Sequence, residues 1–199
     1  MTQEKKRCPW CKGDPLYEGY HDQEWGVPLK DDHQLFEFLI LETFQAGLSW
    51  ITILRKRPNF RLAFDHFDYQ KIAQYQEAKV DQLMEEPGII RNRSKIQAAI
   101  SNAQAFIRVQ EEFGSFARYI WAFVDNKPVQ NTWKDHQEVP AITDLSVALS
   151  KDLKNRGFKF VGPTVVYAHM QATGMVNDHI EECFRSHQVR ELGMNFNLE

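Results

Sequence analysis

Five residues able to bind a borderline-soft metal lie near the two ends of the chain. They are Cys8, Cys11 and His21 on one side, and His179 and Cys183 on the other. Thiolate and imidazole are the ligands Zn²⁺ takes, and four of them close a tetrahedral structural site with no open position for substrate. His179 and Cys183 are four positions apart, so a helix capped by Asp178 would bring both side chains out on one face. The competing reading makes Cys183 a small buried hydrophobe, His179 a surface residue and Cys8-x-x-Cys11 a chance pair. A site drawn from both termini would clip the chain ends together.

A second group is aromatic. Trp10, Tyr17, Tyr20 and Trp25 surround His21 in sequence, and Trp50 follows Glu42 by eight residues. Glu42 falls within an apolar run, where a carboxylate is costly unless paired or hydrogen-bonded. Aromatic walls with one acidic acceptor suit a flat base that is cationic or rich in N–H donors. The alternative is that the rings are core and Glu42 pairs with an arginine.

A third group is basic. Around Pro87-Gly88, a Pro-Gly turn separates two helical stretches and is followed by Arg91, Arg93 and Lys95 with no acid among them. Such a hairpin expects Gly88 in a backbone conformation closed to other residues, with helix N-terminal amides aimed at a phosphate. A plain helix stop with a solvated basic face fits the same residues. Residues 51–63 add Arg55, Lys56, Arg57 and Arg61 without an acid, and 151–162 add Lys151, Lys154, Arg156 and Lys159 against Asp152 alone. Eleven of the 24 Lys and Arg residues therefore sit in three short stretches of a chain whose net charge is −3.

These groups need a scaffold, and the pattern predicts an all-α one. Residues 1–30, punctuated by glycines and prolines, predict no helix longer than about two turns. A helix should start from an Asp31 or Asp32 cap and carry Leu35 to Leu41 and Glu42. Another should run from beyond Gly47 through Trp50 and Leu54 to a turn at Pro58, with a short helix near Arg61–Phe64. Two brief helices are expected over 68–85, and the clearest over 94–108, where Ile96, Ala99, Ile100, Ala103, Phe106 and Ile107 keep one face. Helices over Phe116–Val124, Leu145–Leu153 and Val165–Thr173 complete the set, with 126–143 as loop.

With 199 residues, 43% of them hydrophobic, the chain is sized for a single globular unit with a real core. Three cysteines do not make a disulfide framework. Neither a signal peptide nor an apolar run of membrane-spanning length is present, so a cytoplasmic protein with no membrane partner is expected.

The three groups join into one pattern. Cys-x-Trp at 8–10, DPLYEGYHDQEWGVP at 14–28, LETFQAGLSWITILRKR at 41–57, GIIRNRSKIQAAISNA at 88–103, GFKFVGPTVVYAHMQATGMVNDH at 157–179 and Cys183 resemble the bacterial 3-methyladenine DNA glycosylase I family. The likeness runs in order over roughly residues 8–183. It implies an all-α helix-hairpin-helix glycosylase fold over 1–199, with the hairpin at about 80–108. A zinc lobe is implied from about 1–30 and 160–185.

The resemblance also implies roles. Cys8, His21, His179 and Cys183 would bind one structural Zn²⁺, while Glu42, Tyr20 and Trp50 would contact a flipped base, with Trp10, Tyr17 and Trp25 completing the pocket. Gly47 and Leu48 match the family's wedge into the duplex, and Gly88, Arg91, Arg93 and Lys95 would lie on DNA. A monomer acting on alkylated double-stranded DNA and releasing free 3-methyladenine is implied. Cys11 and the tail beyond Cys183 have no counterpart in the pattern. Superfamily relatives place an Asp downstream of the hairpin, but none lies between Asp81 and Asp125 here. The 3-methyladenine leaving group, already cationic, fits that departure.

Overall fold

In the computed structural model, which describes residues 5–198, ten α-helices surround one buried apolar cluster that extends from Cys8 to Cys183. Residues 1–4 of the expected N-terminal lobe and Glu199 lie outside the described residues.

At the centre is α2, Asp32–Gln45, started by Asp31, whose carboxylate accepts the Gln34 amide at 2.8 Å. All residues from Leu35 to Phe44 are buried, so it is wrapped on every side rather than amphipathic. Asp32 in its first turn accepts from Gln110 and from the amides of Phe116 and Ala117, which fixes α6 (Arg93–Phe113) and α7 (Phe116–Trp121) against it.

Three local expectations need correction. The N-terminal segment contains α1, Pro15–Gln23, longer than two turns, because Asp14 accepts from Leu16 and Tyr17 and Pro15 occupies the first turn, where no amide is needed. Pro58 does not end its helix: α3 spans Trp50–Ala63, held through the proline by buried Leu54 and Phe60, and absorbs the short helix expected near Arg61. The expected loop 126–143 contains β1, Val129–Gln130, paired in parallel with β2, Val176–Asn177, so the fold is mostly rather than wholly helical.

Helices α4 (Tyr69–Ile72) and α5 (Glu77–Glu85) lead to α6, and α8 (Asp144–Asn155) and α9 (Pro163–Ala172) pack along each other. The final helix, α10, covers Phe184–Met194.

Candidate active site and metal centre

The aromatic candidates converge. Trp10, Tyr17, Tyr20, Trp25, Glu42 and Trp50 line one cavity of about 230 Å³, together with Gln45, His136, Ala168 and Gln171. The Trp10 ring lies 4.8 Å from Tyr17 and 5.0 Å from Trp25, and Tyr20 lies 5.5 Å from Trp50. Glu42 enters from the middle of α2, Trp50 from the first turn of α3, and Tyr17 and Tyr20 from α1.

Two polar atoms in this cavity, Glu42 Oε2 and Trp50 Nε1, are buried and have no hydrogen-bond partner among the described residues. The arginine partner considered for Glu42 goes to Glu37, one and a half turns earlier on the same helix, which receives both Arg57 (2.5 Å) and Arg61 (2.8 Å). Burial with no cation nearby pushes the Glu42 carboxyl up to about 8. The cavity thus offers an unpartnered carboxyl oxygen and an unpartnered indole donor between ring faces.

Behind the aromatic wall, the ligand atoms of Cys8, His21, His179 and Cys183 all lie within 4.8 Å of one another, and all four residues are buried. Cys183 Sγ is 3.4 Å from His21 Nε2 and 3.5 Å from His179 Nδ1, and Cys8 Sγ is 3.6 Å from His179 Nδ1. Zn–S bonds of about 2.3 Å and Zn–N bonds of about 2.0–2.1 Å give a tetrahedron with edges of about 3.6 Å, so the donor set fits zinc. The remaining ring nitrogens are also placed: His21 Nδ1 is 2.8 Å from Asp22 Oδ1, and His179 Nε2 is 3.0 Å from the Trp25 carbonyl. Such second partners fix the tautomer that presents the other nitrogen to a metal. Hydrogen bonding from Cys8, then from the two imidazoles, draws the Cys183 thiol far below its ordinary range. Cys11 stands apart, a buried thiol pushed up to about 11 that donates to the Cys8 carbonyl.

His179 and Cys183 do not share a helical face as the spacing suggested. Asp178 begins no helix; Cys183 is the N-cap of α10, and the chain reaches it through a turn. The buried Asp178 carboxylate instead accepts from Asn131, Trp133, Tyr167 and Gln171. It joins the strand-bearing loop and pocket-lining Gln171 to His179 of the Cys/His cluster. Gln171 and His136 were not legible as pocket residues, because they reach the cavity from segments distant in sequence, Gln171 held there by Asp178 and the Gly26 amide.

Gly47 adopts φ +84, which favours glycine, and Leu48 behind it is 41% exposed. Gly88 is not left-handed. A Cβ there would meet Asn59 Cβ at 2.8 Å, so its role is close approach to α3. Its carbonyl and that of Pro87 receive Lys56, and this turn packs on α3 instead of standing free.

The basic candidates separate. Arg91 is exposed and has no ion pair among the described residues, whereas Arg93 pairs with Glu77 and Asp81 across the turn. The Lys95 ammonium is buried on the carbonyls of Phe44 (2.9 Å) and Ala46 (2.7 Å), at the end of α2. In the stretch 51–63 Arg55, Arg57 and Arg61 are spent on Asp14, Glu24 and Glu37. The connection between α8 and α9 carries Lys159 and the 43% exposed Phe160 at φ +55. Asn102 holds that connection by both the amide and the carbonyl of Lys159.

A helical body with an aromatic, carboxylate-bearing cavity and a thiolate–imidazole cluster behind it defines a base-binding protein of distinct type. The methyladenine glycosylase family pattern matches residues 10–186. DNA-3-methyladenine glycosylase 1 of Escherichia coli is 50% identical over 178 residues, 89% of this chain and 95% of that protein. DNA-3-methyladenine glycosylase of Haemophilus influenzae is 46% identical over 177 residues, 89% and 96% of the two chains. A crystal structure of 3-methyladenine DNA glycosylase I superposes with TM-score 0.88 at 52% identity, covering 90% of this chain and 98% of that one. The Staphylococcus aureus enzyme, solved for the structural basis of its 3-methyladenine recognition, gives TM-score 0.88 at 37% identity over 90% and 96%. The chain belongs to the methyladenine glycosylase family of enzymes.

Proposed function

We propose that this enzyme hydrolyses the N-glycosidic bond of 3-methyladenine in alkylated duplex DNA, leaving an abasic site and releasing the free base. The observation that carries the reading is the cavity in which Glu42 Oε2 and Trp50 Nε1 are buried, unpartnered and flanked by aromatic rings. A base extruded from the duplex enters between Tyr20 and Trp50, with Trp10, Tyr17 and Trp25 closing the walls. Glu42 accepts from its exocyclic amine and faces its positive charge. Extrusion costs a few kcal/mol, least for a damaged base, and stacking at about 1–3 kcal/mol per base offsets much of it.

The C1′–N bond then breaks with its electron pair going to the cationic ring, which becomes neutral. Water adds to C1′ and gives up a proton, with no covalent enzyme intermediate. Leu48, presented by Gly47, fills the space the base leaves. The exposed Arg91 and the 156–162 connection supply duplex contacts; Arg93 acts within its ion pairs. Cys8, His21, His179 and Cys183 hold one Zn²⁺, which supplies structural cross-linking and no chemistry at the base. The enzyme works as a monomer in the cytoplasm.

The test is release of free base from methylated duplex DNA. Release of 3-methyladenine well above 7-methylguanine supports the reading, and no release by zinc-loaded protein sinks it.

A further inference from the structure

Lys95 lies at the third position of α6, the helix expected to begin at a DNA-facing hairpin. Asn92, the N-cap, fixes its backbone by accepting the Lys95 amide at 3.1 Å. Its side chain turns inward. The ammonium donates to Phe44 O at 2.9 Å and Ala46 O at 2.7 Å, and the residue is 7% exposed. Those carbonyls close the last turn of α2, where the helix dipole gathers negative partial charge that a cation offsets. Glu42 stands two residues before the first of them on that same helix, and Gly47 follows the second directly. The Leu48 amide donates back to Gln45 O at 2.6 Å, so the 46–48 turn is tied at two places.

We propose that Lys95 is a positioning residue for base extrusion: its ammonium fixes the end of α2 and the 46–48 turn so that Leu48 can enter the duplex. The alternative assignment, a cation on a DNA phosphate, would need the ammonium to leave two short hydrogen bonds, one of them to the carbonyl of the buried Phe44. The neighbours on α6 support the division of labour. Arg91 is exposed and without an ion pair among the described residues, and so is the one of the three suited to a phosphate.

The inference rests on the duplex reading above, and the measurements separate the two. First, wild-type protein is assayed on duplex DNA carrying 3-methyladenine; failure there removes the functional reading itself. With wild type active, Lys95→Met is compared for duplex excision, for binding of free 3-methyladenine, and for the salt dependence of affinity for an undamaged duplex. Positioning predicts at least tenfold slower duplex excision, free-base affinity within about twofold, and an unchanged log–log salt slope. A phosphate contact predicts that the slope falls by about 0.9, and that outcome, or normal excision, overturns the proposal.

A double-mutant cycle with Leu48→Ala adds a readout that general loss of stability does not move. Acting through the wedge, Lys95→Met should cost little more once Leu48 is gone; full additivity counts against it. Should Lys95→Met fail to fold, Lys95→Arg answers the same question. Keeping the charge with altered donor geometry, it loses duplex excision if Lys95 positions the turn, and retains it if charge alone matters.

Discussion

Glu42 and Trp50 face the same cavity from two successive helices, each with one buried polar atom, Oε2 and Nε1, that no other described residue satisfies. Buried unpaired groups cost about 1–3 kcal/mol each in the empty protein. A ligand that supplies a donor to the first and an acceptor to the second recovers that cost on binding, so affinity and specificity come from the same pair.

Glu42 should make stability depend on pH. Its carboxyl sits at about 8 against an ordinary value of 4.5, so the folded chain holds the extra proton between these values and stability falls as pH rises through them. Glu42→Gln should therefore melt several degrees above wild type at about pH 8.5, with a smaller difference near pH 5, while excision drops roughly a hundredfold or more. Wild-type kcat/KM should climb toward pH 8 and the variant's should not. A melting difference that does not change with pH would remove Glu42 as the titrating group.

Purified protein should carry about one zinc per chain. Cys183→Ser should lose most of it and melt several degrees lower, with excision falling because the Trp25 carbonyl bonded to His179 belongs to the pocket wall. Cys11→Ser should retain both metal and activity. Loss of zinc in the Cys11 variant would show that the ligand set is different.

Leu48→Ala should slow excision from duplex DNA by roughly tenfold or more and leave free 3-methyladenine binding unchanged. Measured against single-stranded methylated DNA, the defect should shrink. An equal defect on both substrates would place Leu48 at the base rather than in the helix gap.

His169 on α9 is buried with neither ring nitrogen partnered among the described residues, and burial draws it down to about 3. The unfolded chain takes up a proton near 6.5 that the folded one refuses, so stability is lost as pH falls from there toward 3. His169→Leu should raise the melting temperature by a few degrees, more at about pH 5 than at pH 7.5. A lower melting temperature for the variant at both pH values would mean that packing around the imidazole outweighs its unpaired nitrogens.

Residue type and order made the aromatic set and the Cys/His set visible, because tryptophans, a buried carboxylate and paired thiol and imidazole groups are uncommon enough to stand out. The long helix from Arg93 and the Asp31-capped α2 were likewise legible through periodicity and capping. Charge was not. Arg93, Lys95 and Arg57 fall in two of the three basic stretches, yet Glu77, the α2 carbonyls and Glu37 claim them from distant parts of the chain. Glu37 itself reads as an ordinary helix residue until Arg57 and Arg61 arrive. The same non-locality hid Asp178, whose four donors come from two segments, the loop at 131–133 and α9.

The contact between Cys8 and His179 spans 171 positions, and the pocket wall is built on it. Closing so long a loop comes late in folding, after the local helices have formed. A chain still on the ribosome holds Tyr20, Glu42 and Trp50 but lacks the segment that seats Trp25 against His179. Under the proposed function, a pocket complete for base binding needs the chain through Cys183, and a product truncated ahead of it lacks both the closed Cys/His cluster and the Trp25–His179 contact.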